Sequence, residues 1–165
     1  SLAHVVVLSN DPRFLLGPIP SAHVVTTADE PSAFYQCLLQ EGELGGVRVF
    51  KPLTVRRAIA EVGKPELDRS LMVPLRYSAG MMLGASPFGM YGPDTSKAYG
   101  HLGFANNFVW ADPERDISVG LLTTGKLLLG LHAPYLVELL YNLSKYCPKL
   151  AEREQDELLH AAGMY

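Results

Sequence analysis

Two β-rich runs, Phe108-Val109-Trp110-Ala111 and Ile117-Ser118-Val119-Gly120-Leu121-Leu122, flank the segment Asp112-Pro113-Glu114-Arg115-Asp116. β-Branched and aromatic runs joined through an Asp-Pro turn predict an antiparallel hairpin. That hairpin constrains the chain more than any other feature, because it demands a sheet with a covered face. The residues after it supply a cover. Pro134 suits a first helical turn, and Leu136, Val137, Leu140 and Leu143 form an apolar stripe behind it. Pro148 interrupts, and 149–162 reads as a charged final helix.

Upstream the signals alternate. Residues 1–25 read as irregular, punctuated by Asp11-Pro12, Gly17-Pro18 and Ile19-Pro20. Thr27 and Glu30 have capping-box spacing, and Ala33, Phe34, Cys37 and Leu38 share one helical face, so a helix is expected over about 27–41. Gly45-Gly46 leads into an extended Val47–Phe50, and Lys51-Pro52 opens a second helix expected to reach about Val62 before Gly63-Lys64-Pro65. Residues 64–74 read as a charged loop. Leu75, Tyr77, Ala79, Met81 and Leu83 alternate with their neighbours as one strand would. A long Gly- and Pro-containing loop, expected to be functional or mobile, fills 84–100, and a strand follows over about 99–105. The order is helices, an antiparallel run of three strands, then helices. That is α+β, or mixed α/β, and not a parallel Rossmann arrangement.

The 165 residues carry a net charge of −3 and 48% hydrophobic residues, a globular composition that speaks against nucleic acid or an anionic membrane as partner. Apolar runs such as Leu127-Leu128-Leu129 fall far short of the ~18 residues of a membrane span. Cys37 and Cys147 are too few for a disulfide scaffold, and Cys37 falls on the inward face of its helix, where packing is expected. The histidines at 4, 23, 101, 132 and 160 form no His-x-x-x-His pair and the cysteines no Cys-x-x-Cys, so no metal site and no cofactor are expected. One segment stands out for chemistry. His101-Leu102-Gly103 follows the glycine-rich loop on a strand, and Gly103 would let a ligand lie against the backbone. Equally, a half-buried strand histidine beside a bulge glycine has a purely structural reading.

The runs Thr26-Thr27-Ala28-Asp29-Glu30, Phe34-Tyr35-Gln36-Cys37-Leu38-Leu39 and Gly42-Glu43-Leu44-Gly45-Gly46-Val47-Arg48-Val49 keep an order and spacing with three later ones. These are Tyr99-Gly100-His101-Leu102-Gly103-Phe104, Trp110-Ala111-Asp112-Pro113-Glu114-Arg115-Asp116 and Leu121-Leu122-Thr123-Thr124. Together, over roughly 20–145, they resemble the penicillin-binding, β-lactamase-like serine esterases. The resemblance implies a β-lactamase/transpeptidase-like fold in which 1–74 ends a helical subdomain and 75–165 ends an α/β domain. In that family a Ser-x-x-Lys helix supplies the nucleophile and its activating amine, with a Tyr or Ser from a second motif nearby. A strand bearing Lys-Thr-Gly or His-x-Gly forms the opposite wall, and His101-Leu102-Gly103 matches the second form. By that match His101 contacts substrate or supports proton transfer, Gly103 admits the substrate, and the Phe104 N–H is one oxyanion-hole donor.

The match is incomplete. None of Ser9, Ser21, Ser32, Ser70, Ser78, Ser86, Ser96, Ser118 and Ser144 has Lys three residues later, and no Tyr-x-Asn occurs. The expectation is a C-terminal portion of an acyl-transfer hydrolase whose nucleophile lies N-terminal to Ser1, with a small ester or amide as substrate and no turnover by this chain alone. A penicillin-binding-type peptidase acting on D-amino-acid substrates is the alternative within enzymes. A non-catalytic domain using the same groove for binding is the alternative outside them. The compartment stays open, with a slight lean to the cytoplasm.

Overall fold

The computed structural model describes residues 4, 7–19, 24–69, 71–103, 107–123 and 133–161. Asp11 caps a single helical turn, α1 (Pro12–Leu16), through its side chain and the Arg13 N–H, so the N-terminal stretch is not wholly irregular. The second helix, α2 (Asp29–Leu39), has only half of the expected capping box. The Glu30 carboxylate does reach back to the Thr27 N–H at 3.0 Å. The Thr27 hydroxyl, however, caps no backbone amide; it and Thr26 donate to Glu30 instead, and Ala28 is the cap residue. A two-residue hairpin, β1 (Glu43–Leu44) and β2 (Val47–Arg48), leads to α3 (Pro52–Ile59). That helix stops three residues short of Val62 because extended pairing competes for its end: Glu61 bridges Ser78 and the Val62 N–H donates to the Tyr77 carbonyl.

The stretch expected to be a charged loop instead begins the sheet. β3 (Glu66–Asp68) pairs with β4 (Val73–Tyr77), across a turn in which Asp68 accepts from the Leu71 N–H. The run 75–83 is not one strand either. It folds back at Ser78, so β4 pairs with the short β5 (Met82–Leu83). The Ser78 side chain makes that turn possible: its Oγ accepts from Met81 N at 3.0 Å and Gly80 N at 3.4 Å, while Ser78 N donates to Met81 O. Ser78→Ala should therefore cost about 1–2 kcal/mol by stranding two turn amides, read as a lower urea midpoint at unchanged slope. An unchanged midpoint would show that the turn does not depend on the hydroxyl.

The long segment 84–100 is packed rather than loose. Within it β6 (Phe88–Gly89) pairs with β7 (Gly92–Pro93), and Tyr91, Thr95 and Ala98 are each 1% exposed. The predicted hairpin is present as β9 (Phe108–Asp112) and β10 (Ile117–Leu121), paired antiparallel with Trp110 opposite Val119. With β8 (Tyr99–Leu102), these strands complete a six-stranded antiparallel sheet of order β10-β9-β8-β5-β4-β3.

Strand alternation divides the core into two layers. On one face Tyr99, Leu83 and Ala111 meet Tyr35 and Leu38 of α2 and Val55 of α3. Gly120 lets α2 come this close, since a Cβ there would strike the Ala28 carbonyl. On the other face Leu75, Met82, Tyr91, Phe108 and Trp110 pack with Leu136, Leu140 and Leu143 of α4 (Ala133–Tyr146). Trp110 is its centre, stacked on Tyr91 at 5.5 Å and edge-on to Phe108 at 6.4 Å. Burying Phe108 and Met82 there is worth roughly 1.5–3 kcal/mol each. The last helix, α5 (Leu150–Ala161), is tied by its first turn to the β9–β10 turn. Leu150 N donates to Glu114 O, Arg153 Nη2 to Arg115 O, and Lys149 Nζ lies 2.8 Å from Asp94 and 3.1 Å from Glu114.

Candidate functional site

β8 lies inside the sheet, between β5 and β9, and its amides face alternately to one neighbour and the other. The Gly103 N–H donates to the Asn107 carbonyl at 2.7 Å, which places the Tyr99, His101 and Gly103 amides on the β9 side. Gly100 and Leu102 then face β5. But β5 is only two residues long and pairs with Tyr99 and Gly100 alone. From His101 onward the β5 side of β8 therefore has no strand beside it among the described residues. His101 and Gly103 thus sit where a sheet strand emerges from its cover.

His101 is exposed, on the same face as Tyr99 and Val109. Its Nδ1 lies 2.8 Å from the Leu102 carbonyl oxygen. A carbonyl only accepts, so Nδ1 carries a hydrogen in this contact. In the neutral ring with that tautomer, Nε2 is the acceptor nitrogen. Two residues earlier on the same face, burial pushes the Tyr99 phenol up to about 12, so at neutral pH it can donate but cannot act as a phenolate base. Gly103 is half-buried, and a Cβ there would sit 3.3 Å from Asn107 O, tight enough to press on Asn107. Phe104, the third residue expected at this wall, lies outside the described residues.

Two neighbours hold this segment, and neither is visible from local sequence. Asn107 takes the Gly103 amide on its carbonyl and, through Oδ1, the Thr123 amide at 2.8 Å. Met82 offers its thioether sulfur to the Leu102 amide at 3.5 Å. Asn107 stands just before β9, while Met82 is brought here by the pairing of β5 with β8. Cys37 is buried in α2, as expected of a packing residue.

A groove of about 410 Å³ opens at the other end of β8, lined by Ile59, Arg76, Lys97, Tyr99 and Glu114 among others. Tyr99, which lines it, pairs with Ala111 beside the β9–β10 turn, while His101 pairs with Val109. Arg76 is committed there, to Glu61 by two bonds and to the Gly84 and Ser96 carbonyls by Nη1. His101 is not part of that groove.

The profile of the Beta-lactamase family matches residues 3–139. The chain belongs to the beta-lactamase family. Among curated proteins it is 26% identical over 118 residues to the Esterase/beta-lactamase LipL of Mycobacterium tuberculosis, a stretch covering 72% of this chain and 26% of LipL. Among solved structures it resembles a novel penicillin-binding protein homologue from Caulobacter crescentus, with a TM-score of 0.58 and 28% identity over 70% of this chain and 30% of that one. A family VIII carboxylesterase superposes with a TM-score of 0.50 and 25% identity over 66% of this chain and 29% of that one. These likenesses bear out the α+β, β-lactamase-like architecture. The chain spans between a quarter and a third of the length of each of these relatives.

Proposed function

We propose that this chain forms one wall of the active site of a serine hydrolase that cleaves small acyl esters through a serine acyl-enzyme. The observation that carries the reading is the placement of His101-Leu102-Gly103 at the point where β8 runs past β5 with one side unpaired. An acyl carbonyl can approach the backbone there without meeting a side chain at Gly103. In this reading the nucleophile is a Ser-x-x-Lys serine supplied from outside these 165 residues, by the remainder of a longer protein. Its attack on the ester carbonyl expels the alcohol, and water then cleaves the acyl-enzyme. The Phe104 N–H and the nucleophile's own N–H stabilise the oxyanion, and His101 Nε2 contacts the substrate or supports proton transfer. Within that protein 1–74 ends a helical subdomain and 75–165 the α/β domain, with β3 reaching across the division into the sheet.

The esterase reading is favoured by the His-x-Gly form of the strand and by the likeness to a carboxylesterase and to LipL. The likeness to a penicillin-binding protein homologue favours a second one, a peptidase acting on D-amino-acid substrates. Nitrophenyl butyrate, a chromogenic cephalosporin and a D-alanyl-D-alanine peptide, offered to the natural-length protein, separate the readings. A fluorophosphonate should label that protein at a serine outside these 165 residues, and the isolated 18.0 kDa chain should turn over none of the three. Labelling of a serine within 1–165 would show the nucleophile misplaced. Ester hydrolysis by the 18.0 kDa chain that survives mutation of each of its serines would sink the reading altogether.

A further inference from the structure

We infer that Met82 is a positioning residue for this site: its thioether replaces the missing strand beside β8 and fixes the height of His101-Leu102-Gly103. The inference rests on the functional reading of that segment and goes beyond it.

The need arises from register. Met82 is opposite Gly100 and Leu83 opposite Tyr99, so a continuing β5 would place Met81 beside His101 and Gly80 beside Leu102. The chain turns away instead, because Ser78 captures the Met81 and Gly80 amides and pulls both into the β4–β5 turn. That leaves the Leu102 N–H pointing at a gap. A half-buried amide without an acceptor is costly, and water or a bound ligand would compete for it. The Met82 sulfur lies 3.5 Å from Leu102 N, an ordinary N–H···S length. Met82 can hold this pose because it is itself clamped. It is 3% exposed, and its carbonyl accepts from Tyr91 OH at 3.0 Å. The Tyr91 ring in turn stacks on Trp110 at 5.5 Å. A rigid aromatic pair thus sets Met82, Met82 sets the Leu102 amide, and the two flanking residues of that amide are His101 and Gly103.

The opposite edge of the same segment is already held by Gly103 N on Asn107 O at 2.7 Å. The β9 ladder holds that edge too, with His101 opposite Val109, but a strand end held along one edge alone could still swing about it. A second tether on the other side removes the swing, and placement of reacting groups within well under an ångström decides rate.

The discriminating variant is Met82→Leu, which conserves volume in the core and deletes only the acceptor. In this chain, nuclear magnetic resonance should show the Leu102 amide exchanging at least about tenfold faster in the variant, with the Val109 amide unchanged, since one stranded amide is the only loss. In the natural-length protein, kcat for nitrophenyl butyrate should fall toward the ~10²-fold loss of a misplaced site, with KM little changed. A nuclear Overhauser contact between the Met82 methyl and the Leu102 amide in the unmutated chain tests the geometry without any substitution. Its absence, or unaltered Leu102 exchange in Met82→Leu, overturns the inference. Faster exchange with unchanged kcat also overturns it, while a kcat that still collapses in His101→Ala leaves the functional reading standing. If neither variant affects turnover, the functional reading fails and takes the inference with it.

Discussion

In the longer protein of the proposed reading, His101→Ala should lower the turnover of nitrophenyl butyrate by about 10²–10⁴-fold, the usual cost of removing a positioned proton-transfer group. Stability should hardly move. The ring is exposed and makes one hydrogen bond, to the carbonyl of the next residue, so its loss costs about 1 kcal/mol or less. This gap between rate and stability separates a wall of an active site from a strand histidine with a structural role. Gly103→Val is the independent check, since it obstructs the acyl carbonyl without touching a titratable group. It is a less clean variant than its exposure alone suggests. A Cβ at Gly103 meets Asn107 O at 3.3 Å, so the melting temperature must be followed alongside the rate. Loss of ester cleavage at nearly constant melting temperature in both variants supports the esterase, and loss confined to a cephalosporin moves the assignment to a lactamase. Wild-type rates in both, on every substrate, would leave only the binding-domain reading.

How much of this was legible in the sequence depends on how local each signal was. The β9–β10 hairpin and the position of α2 are written within a few residues of themselves and stand in the fold; the α4 stripe stands through Leu136, Leu140 and Leu143, while Val137 is exposed. The signals misread were those in which local pattern and distant pairing disagree. Alternation from Leu75 to Leu83 is real, but a turn sits inside it, because the Ser78 hydroxyl can take two amides. Residues 64–74 look like a loop by charge, yet Leu67 pairs with Pro74 and the edge of the sheet tolerates their polar neighbours. Residues 84–100 look mobile by glycine content, yet Gly84 is needed because any side chain there would collide with the Thr95 carbonyl. Close packing, not freedom, accounts for that glycine.

The same rule governs the candidate site. His101 and Gly103 stood out by motif. Met82 and Asn107, which hold that segment from its two edges, carried no signal, because their role exists only once β5, β8 and β9 are in register.

The largest structural effect should come from Gly100→Val, one residue before the histidine. Gly100 lies opposite Trp110 at a pair that exchanges no hydrogen bonds, where antiparallel strands come closest. A Cβ at Gly100 would strike the Val109 carbonyl and lie 2.5 Å from both Cα and Cβ of Trp110. Backbone on one side and a fully buried indole on the other leave nothing soft to yield. Nor can β8 move away, because β5 holds it from the opposite side through Met82 and Leu83. A loss of about 4 kcal/mol or more is expected, close to the whole stability of a small domain. The variant should show collapsed amide dispersion or an unfolding transition already under way in water. Gly80→Val is the matched control, since a Cβ there meets nothing within 4 Å and it should melt near wild type. If Gly100→Val melts within a few degrees of wild type, β8 and β9 cannot be in this register, and the placement of His101 opposite Val109 falls with it. Every argument about the emerging end of β8 depends on that register.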